Sequence, residues 1–95
     1  IMRLPDGRTI SALAVIGYLN NVQGIKHFQT IQEKIDRFTI KVVRGTRFTD
    51  ETIHETKQAL KPILGDVEVE VQIVDAIQRE KSGKLRPFIT RIPIE

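Results

Sequence analysis

The sequence contains no cysteine and no tryptophan, and its aromatic side chains are four phenylalanines and one tyrosine. Without cysteine, the chain can form no disulfide, no thiolate-ligated metal site and no catalytic thiol. No apolar run approaches the roughly 20 residues that a membrane-spanning helix requires, and the start, IMRLPD, lacks the apolar core of a signal peptide. We therefore expect one domain, residues 1–95, in the cytoplasm and without a membrane partner.

The chain also lacks a strong charge of either sign. Fifteen basic and twelve acidic residues give a net charge of +3, and the two signs are interspersed, which is typical of a solvated surface. The phenylalanines do not cluster on one predicted strand, so we expect no nucleic-acid partner. The C-terminal part is different, because only Glu80 opposes a group of five basic residues there: Arg79, Lys81, Lys84, Arg86 and Arg91. This group should attract an anion such as phosphate.

The first half of the chain predicts a hairpin, a helix and a pair of strands. Pro5-Asp6-Gly7-Arg8 is typical of a tight turn inside a hairpin over residues 1–10. Ser11 is the expected N-cap of a helix with one apolar stripe, in which Gly17 should allow close packing against the sheet. Asn20-Asn21 and Gly24 should end this helix, with Gly24 as a left-handed C-cap. From Ile25 the period changes to two, and a second alternating segment starts at Phe38. These two strands should form an antiparallel hairpin.

The second half predicts a helix, a strand, a loop and a final strand. Thr49 is the expected N-cap of the second helix, which Pro62 should kink or end in its last turn before Gly65. Residues 67–73 alternate between apolar and polar side chains, the strongest strand signal in the chain. Residues 75–87 lack periodicity and read as a loop, and residues 88–92 read as a strand. The sequence thus predicts an α+β fold: a βαββαβ-like antiparallel sheet with two helices on one face, plus an N-terminal hairpin.

The candidate functional residues lie in the predicted loop, at Ser82-Gly83-Lys84. A phosphate-binding P-loop would also need glycine at the position of Gln78 and a hydroxyl residue at that of Leu85, so autonomous nucleotide binding is not expected. What remains is a lysine on a flexible tether, which is suited to meet developing negative charge in a site formed elsewhere. From residue types alone, a solvated basic loop is the competing interpretation.

The other polar residues of catalytic type have structural explanations. His27 and His54 are expected on a strand and on a helix, without enough neighbouring ligands for a zinc site. We therefore expect no metal bound by this chain. Asp50 and Glu51 suit the positive end of a helix dipole.

The segment 74–86, VDAIQREKSGKLR, resembles the last motif of AMP-forming, adenylate-forming enzymes, in which Ser-Gly-Lys is followed by arginine two residues later. The wider chain resembles the C-terminal domain of the phenylacetate-CoA ligase and coenzyme F390 synthetase group, including its relatives in capsular polysaccharide biosynthesis. The shared features are the turn at residues 5–8, the helix after it, the segment 24–32 and the alternating valine strand, in this order. The resemblance covers nearly the whole chain.

This resemblance implies a lid domain that acts with an N-terminal adenylation domain of the same protein. Such an enzyme activates a small carboxylic acid with ATP and Mg²⁺ as an acyl adenylate and commonly transfers the acyl group to coenzyme A. Lys84 would be catalytic and would reach the α-phosphate and the carboxylate of the acid. Ser82 and Gly83 would shape the loop, and Arg86 would support it or contact phosphate.

The isolated domain should be inactive and should hold no cofactor, because the resemblance places the ATP and acid pockets in the other domain. Because the sequence begins with isoleucine, we expect it to be a piece of a longer chain. The alternative is a stand-alone βαββαβ module that binds a small anion or a partner protein.

Overall fold

The computed structural model describes residues 2–77 and 88–91. Within these residues the chain forms two helices and six strands: β1 Met2–Arg3, β2 Thr9–Ile10, α1 Ala12–Asn20, β3 Ile25–Lys34, β4 Arg37–Arg44, α2 Asp50–Leu64, β5 Glu68–Val74 and β6 Phe88–Thr90. None of the helices in this described part is both long and apolar enough to cross a bilayer.

The main sheet has four strands in the order β5-β4-β3-β6. As expected, β3 and β4 form an antiparallel hairpin, and β1 pairs with β2 in a separate antiparallel hairpin at the N-terminus. However, β5 runs parallel to β4 and β6 runs parallel to β3. The α+β class is therefore confirmed, but the main sheet is mixed where an antiparallel sheet was expected.

The connections explain this difference. A turn at Ile35 and Asp36 reverses β3 into β4, whereas β4 reaches β5 through α2. A helical crossover returns the chain to the end of the sheet from which it started, so the two strands that it joins run parallel. β6 takes the edge beside β3, and the first strand of the expected βαββαβ order lies in the separate hairpin.

The core lies between the two helices and one face of the sheet. Eight buried apolar residues form it: Leu4, Val15, Leu19, Phe38, Ile40, Val42, Leu60 and Leu64. Three of them, from β4, are two residues apart and therefore share a face. Since α1 and α2 both contribute to this cluster, both helices pack on that face, as the sequence predicted.

The helix ends agree only in part with the expectation. The Ser11 hydroxyl accepts a hydrogen bond from the Ala14 N–H at 3.3 Å, as an N-cap should. The C-cap of α1 is Asn21, not Gly24. Gly24 does have a positive φ of 95°, but it initiates β3. Its position is tightly enclosed, since a Cβ would lie 2.9 Å from the Phe48 Cα.

The second helix begins as expected and ends later than Pro62. Thr49 occupies the N-cap position, and its N–H donates to the Thr52 hydroxyl at 3.0 Å. The helix continues through Pro62 to Leu64 and ends at Gly65, whose φ is 74°. The missing N–H of a proline removes only one hydrogen bond, and the packing of the buried Leu60 and Leu64 side chains holds the last turn in place.

Candidate functional site

Ser82, Gly83, Lys84 and Arg86, on which the sequence concentrates the chemistry, lie outside the residues that the structure describes. The predicted loop over residues 75–87 is described only as far as Ile77, where it contains neither helix nor strand. The structure therefore defines the platform that carries this segment, and the functional role of Lys84 stays a prediction.

The segment is attached to opposite edges of the main sheet. It leaves from Val74 at the end of β5 and returns at Phe88 at the start of β6, and these strands are the two outer ones. Three strand spacings separate the edges, about 14 Å. The residues between Val74 and Phe88, 75–87, can extend over about 43 Å. The segment is therefore about three times as long as the shortest crossing, so its length is sufficient to present a side chain away from the sheet.

The β6 attachment is fixed by a short parallel ladder and by side chains. Thr30 pairs with Phe88, and Gln32 pairs with Thr90. The Thr90 hydroxyl donates to Gln32 Oε1 at 3.3 Å, and the Arg91 N–H donates to the Gln32 carbonyl oxygen at 2.9 Å. These contacts hold the three-residue strand against the buried part of β3.

The β5 attachment is longer and regular. Residues 68–74 pair one by one with residues 37–43 of β4. The Glu68 N–H donates to the Asp36 carbonyl oxygen at 2.8 Å, and Arg37 forms an exposed ion pair with Glu70 at 3.4 Å. Both ends of the segment that contains Lys84 are therefore anchored in ordered strands.

Charges of both signs lie at the end of the sheet from which the segment leaves. Lys26, Arg44 and Arg47 are exposed there, and Asp50 and Glu51 occupy the first turn of α2, as predicted. Of the five basic residues expected to create a positive field, Arg91 forms an ion pair with Glu33 at 3.3 Å. The field therefore depends on the other four, which lie outside the described residues.

Asp6 has a shifted pKa, but its environment is that of a turn. The Arg8 N–H donates to Asp6 Oδ1 at 3.0 Å, and Arg8 Nε donates to Oδ2 at 2.6 Å. These hydrogen bonds, first the backbone one, hold the pKa of Asp6 below its usual value. The carboxylate is exposed and lies in the N-terminal hairpin, so it stabilises the predicted turn and is not a candidate acid or base.

The histidines lie where the sequence predicted. His27 is on β3 and His54 is on α2, and both are exposed. Within the described ranges, 2–77 and 88–91, no three histidine or carboxylate side chains come together as a metal site would require.

Phe28, Thr30 and Gln32 alternate along β3 and therefore share one face, but the sequence does not indicate that this face is the inner one. The structure turns it toward the helices, and Thr30 and Gln32 are fully buried. On the opposite face, Gln29 and Thr39 are buried as well. The residue types did not predict the burial of these polar side chains, because burial depends on which strands and helices pack against them in the fold.

Sequence reasoning also missed a groove beside α2. It has a volume of about 540 Å³ and lies between α2 and the edge strand β5, with Lys57 and Lys61 on one side and Val67 and Val69 on the other. Lys57 has the helical spacing of the apolar stripe of α2, but its side chain is exposed and lines this groove.

Comparisons with known proteins place the chain in a domain family. A comparison with curated proteins found no match. A comparison with protein families matched residues 2–91 to the CapK C-terminal domain. This match confirms the part of the resemblance that concerns the CapK type of domain, whereas the adenylating activity stays a prediction. Because the match spans nearly the whole sequence, the chain belongs to the CapK C-terminal domain family.

Proposed function

We propose that this domain is the C-terminal part of a capsule biosynthesis protein that works as an AMP-forming acyl or aryl ligase. The observation that carries the proposal is the extent of the family match. Residues 2–91 include the whole segment between β5 and β6, so Ser82-Gly83-Lys84 lies inside the family domain. In this proposal, Lys84 is the catalytic residue of the domain.

The proposed reaction needs a cation that arrives from outside the nucleotide pocket. A carboxylate oxygen of the acid attacks the α-phosphorus of ATP, the bond from that phosphorus to the bridging oxygen breaks, and pyrophosphate leaves. The Lys84 ammonium stabilises the negative charge that develops on the α-phosphate. ATP and Mg²⁺ bind to the preceding adenylation domain, and a thiol such as coenzyme A accepts the acyl group in a second step.

The described platform supports this role of Lys84 through its geometry. Two ordered strands hold the ends of the segment at sheet edges that are about 14 Å apart, and the segment is long enough to reach well beyond the sheet. Lysine suits the task because its charge sits at the end of a long stem.

The test is pyrophosphate exchange by the full-length protein with Lys84→Ala. Removing a group that stabilises transition-state charge should lower the exchange rate by about 10²- to 10³-fold. Lys81→Ala is the matched control, because it removes the same charge three residues earlier in the same segment. It should retain exchange within a few-fold, and both variants should melt at the wild-type temperature.

Two results would contradict the proposal. Exchange that survives in Lys84→Ala would remove the catalytic role of this lysine. Tight binding of ATP by the isolated chain would favour a stand-alone anion-binding module, because a lid without its partner domain offers only part of a site.

A further inference from the structure

The edge strand β5 lacks several of the features with which proteins usually prevent strand pairing. Its seven residues continue the β4 ladder without a bulge, and it contains neither proline nor lysine. Its helix-facing side chains are incompletely covered: Val69 and Val71 are half-buried, and Ile73 is 38% exposed. In the described part of the chain, β5 pairs with β4 alone.

The backbone of this edge is oriented for pairing. The Glu68 N–H donates to the carbonyl oxygen of Asp36, the residue just before β4, and alternate residues of a parallel strand direct their N–H and C=O groups to the same neighbour. Val69, Val71 and Ile73 therefore direct theirs away from β4. An additional strand could bond to these groups and cover the apolar side chains of the same three residues.

The groove beside the edge has an excess of positive charge. Lys57 and Lys61 line it, and Asp66 is the one carboxylate among its lining residues. Neither lysine lies within 4.0 Å of a carboxylate in the described residues. A strand that pairs with β5 should therefore bring a carboxylate into this groove.

We infer that a second copy of this chain pairs with β5, antiparallel, about a two-fold axis at Val71. In this register Val71 faces its own copy, and all seven residues of the strand are paired. Of the remaining pairs, Val69 with Ile73 matches apolar residues, and Glu70 with Gln72 and Glu68 with Val74 place no like charges opposite each other.

Neighbouring registers are less favourable. A shift of the axis to Glu70 places this carboxylate opposite its own copy, and like charges directly opposite are destabilising. A shift to Gln72 leaves only residues 70–74 paired. A shift of the pairing itself by one residue, which puts the axis between two residues, would turn the apolar face of one copy toward the solvent face of the other. The register about Val71 is therefore the one that pairs the whole strand and places no like charges opposite each other.

The same register supplies a second carboxylate to the groove, in which two lysines face Asp66 alone. Asp75 follows β5 directly and is exposed. If the alternation of β5 is extended by one residue, Asp75 lies on the same side as Val71 and Ile73. About an axis at Val71 it comes opposite Val67 of the other copy, on the helix side. Val67 lines the groove with Lys61, so Asp75 of each copy would approach the lysines of the other. This inference does not depend on the ligase proposal.

The first test is the mass in solution of the chain with Ile73→Lys, by light scattering across a range of concentrations. The wild type should show twice the mass of one chain at high concentration, and Ile73→Lys should show a single mass. Leu13→Lys is the matched control, because Leu13 is an exposed apolar residue on α1, 77% exposed and far from the edge. This variant should dimerise as the wild type does.

The second test uses charge exchange to identify the register. Lys61→Glu and Asp75→Lys should each be monomeric alone, because each places like charges together twice in its own dimer. When the two are mixed, both charge contacts become opposite in sign, and the dimer should return. Since the two variants carry single surface changes, folding is checked by circular dichroism, and the amide exchange of Val71 should slow only in the mixture.

Three outcomes would overturn the inference. The wild type could remain a single chain at high concentration, or the dimer could persist in Ile73→Lys. The third is a mixture of the charge variants that stays monomeric. If Leu13→Lys alone dissociated the dimer, the interface would lie on α1, and the edge of β5 would be excluded.

Discussion

The clearest test of the packing concerns two threonines that are equally buried but differently bonded. Thr30 on β3 and Thr56 on α2 are both 0% exposed. The Thr56 hydroxyl donates to the Thr52 carbonyl oxygen at 2.7 Å. The Thr30 hydroxyl has no hydrogen-bond partner among the described residues, and its cross-strand neighbours on β4 and β6 are Ile40 and Phe88.

We expect Thr30→Val to stabilise the fold and Thr56→Val not to. Burying a hydroxyl without a hydrogen bond costs about 1–3 kcal/mol, and valine removes this cost while filling nearly the same volume. Thr56→Val makes the same hydroxyl-to-methyl change but loses a hydrogen bond worth about 0.5–1.5 kcal/mol. The transfer of the added methyl group cancels in the comparison, and the gain at Thr30 adds to the loss at Thr56. The two free energies of unfolding should therefore differ by about 1.5–4.5 kcal/mol.

The assay is urea unfolding followed by circular dichroism, with thermal melting as a second measurement. For a domain of this size, 1 kcal/mol corresponds to about 4–8 °C in melting temperature. Equal effects of the two substitutions would refute the reasoning, and so would a loss of stability in Thr30→Val. Either result would mean that the Thr30 hydroxyl is satisfied or that its site cannot accept a methyl group.

Further predictions concern glycine, charge and the core. Gly24→Ala should lower stability by at least about 1 kcal/mol, because the residue has positive φ and no room for a Cβ. In contrast, Gly17→Ala in the exposed middle of α1 meets nothing within 4 Å and should raise stability by about 0.5–1 kcal/mol in the same urea assay. The pKa of Asp6 is lower in the folded state than in the unfolded state. Its contribution to the free energy of unfolding is therefore present above the unfolded-state pKa and is lost as the pH falls through the folded-state pKa. Asp6→Asn should therefore weaken the pH dependence of stability on the acid side, and a carboxyl titration by NMR should place the midpoint of Asp6 below 3.8. Leu60→Ala, in the centre of the core, should cost about 2–5 kcal/mol in unfolding free energy, and an unchanged midpoint would contradict the assigned core.

Local signals were read correctly wherever the cause is local. The Ser11 cap, the hairpin turn at residues 5–8 and the first turn of α2 involve contacts between residues at most a few positions apart, so residue types determine them. The misread features have causes elsewhere in the chain. Gly24 was assigned to the end of α1, but its glycine is required because the chain near Phe48 and Thr52 approaches it. Gly17 was expected to allow close packing against the sheet, but it is exposed.

The sequence by itself determined the alternation of each strand, the α+β class and the position of the Ser-Gly-Lys segment between the last two strands. Only the tertiary structure decided that the main sheet is mixed and that the face of β3 with Thr30 and Gln32 turns toward the helices. It also decided that β5 is an edge beside a groove with an excess of lysine. The physical reason is that periodicity defines the two faces of an element, whereas burial and pairing depend on residues distant in sequence. Thr30 illustrates this, because no local pattern distinguishes a buried threonine with a hydrogen-bond partner from one without.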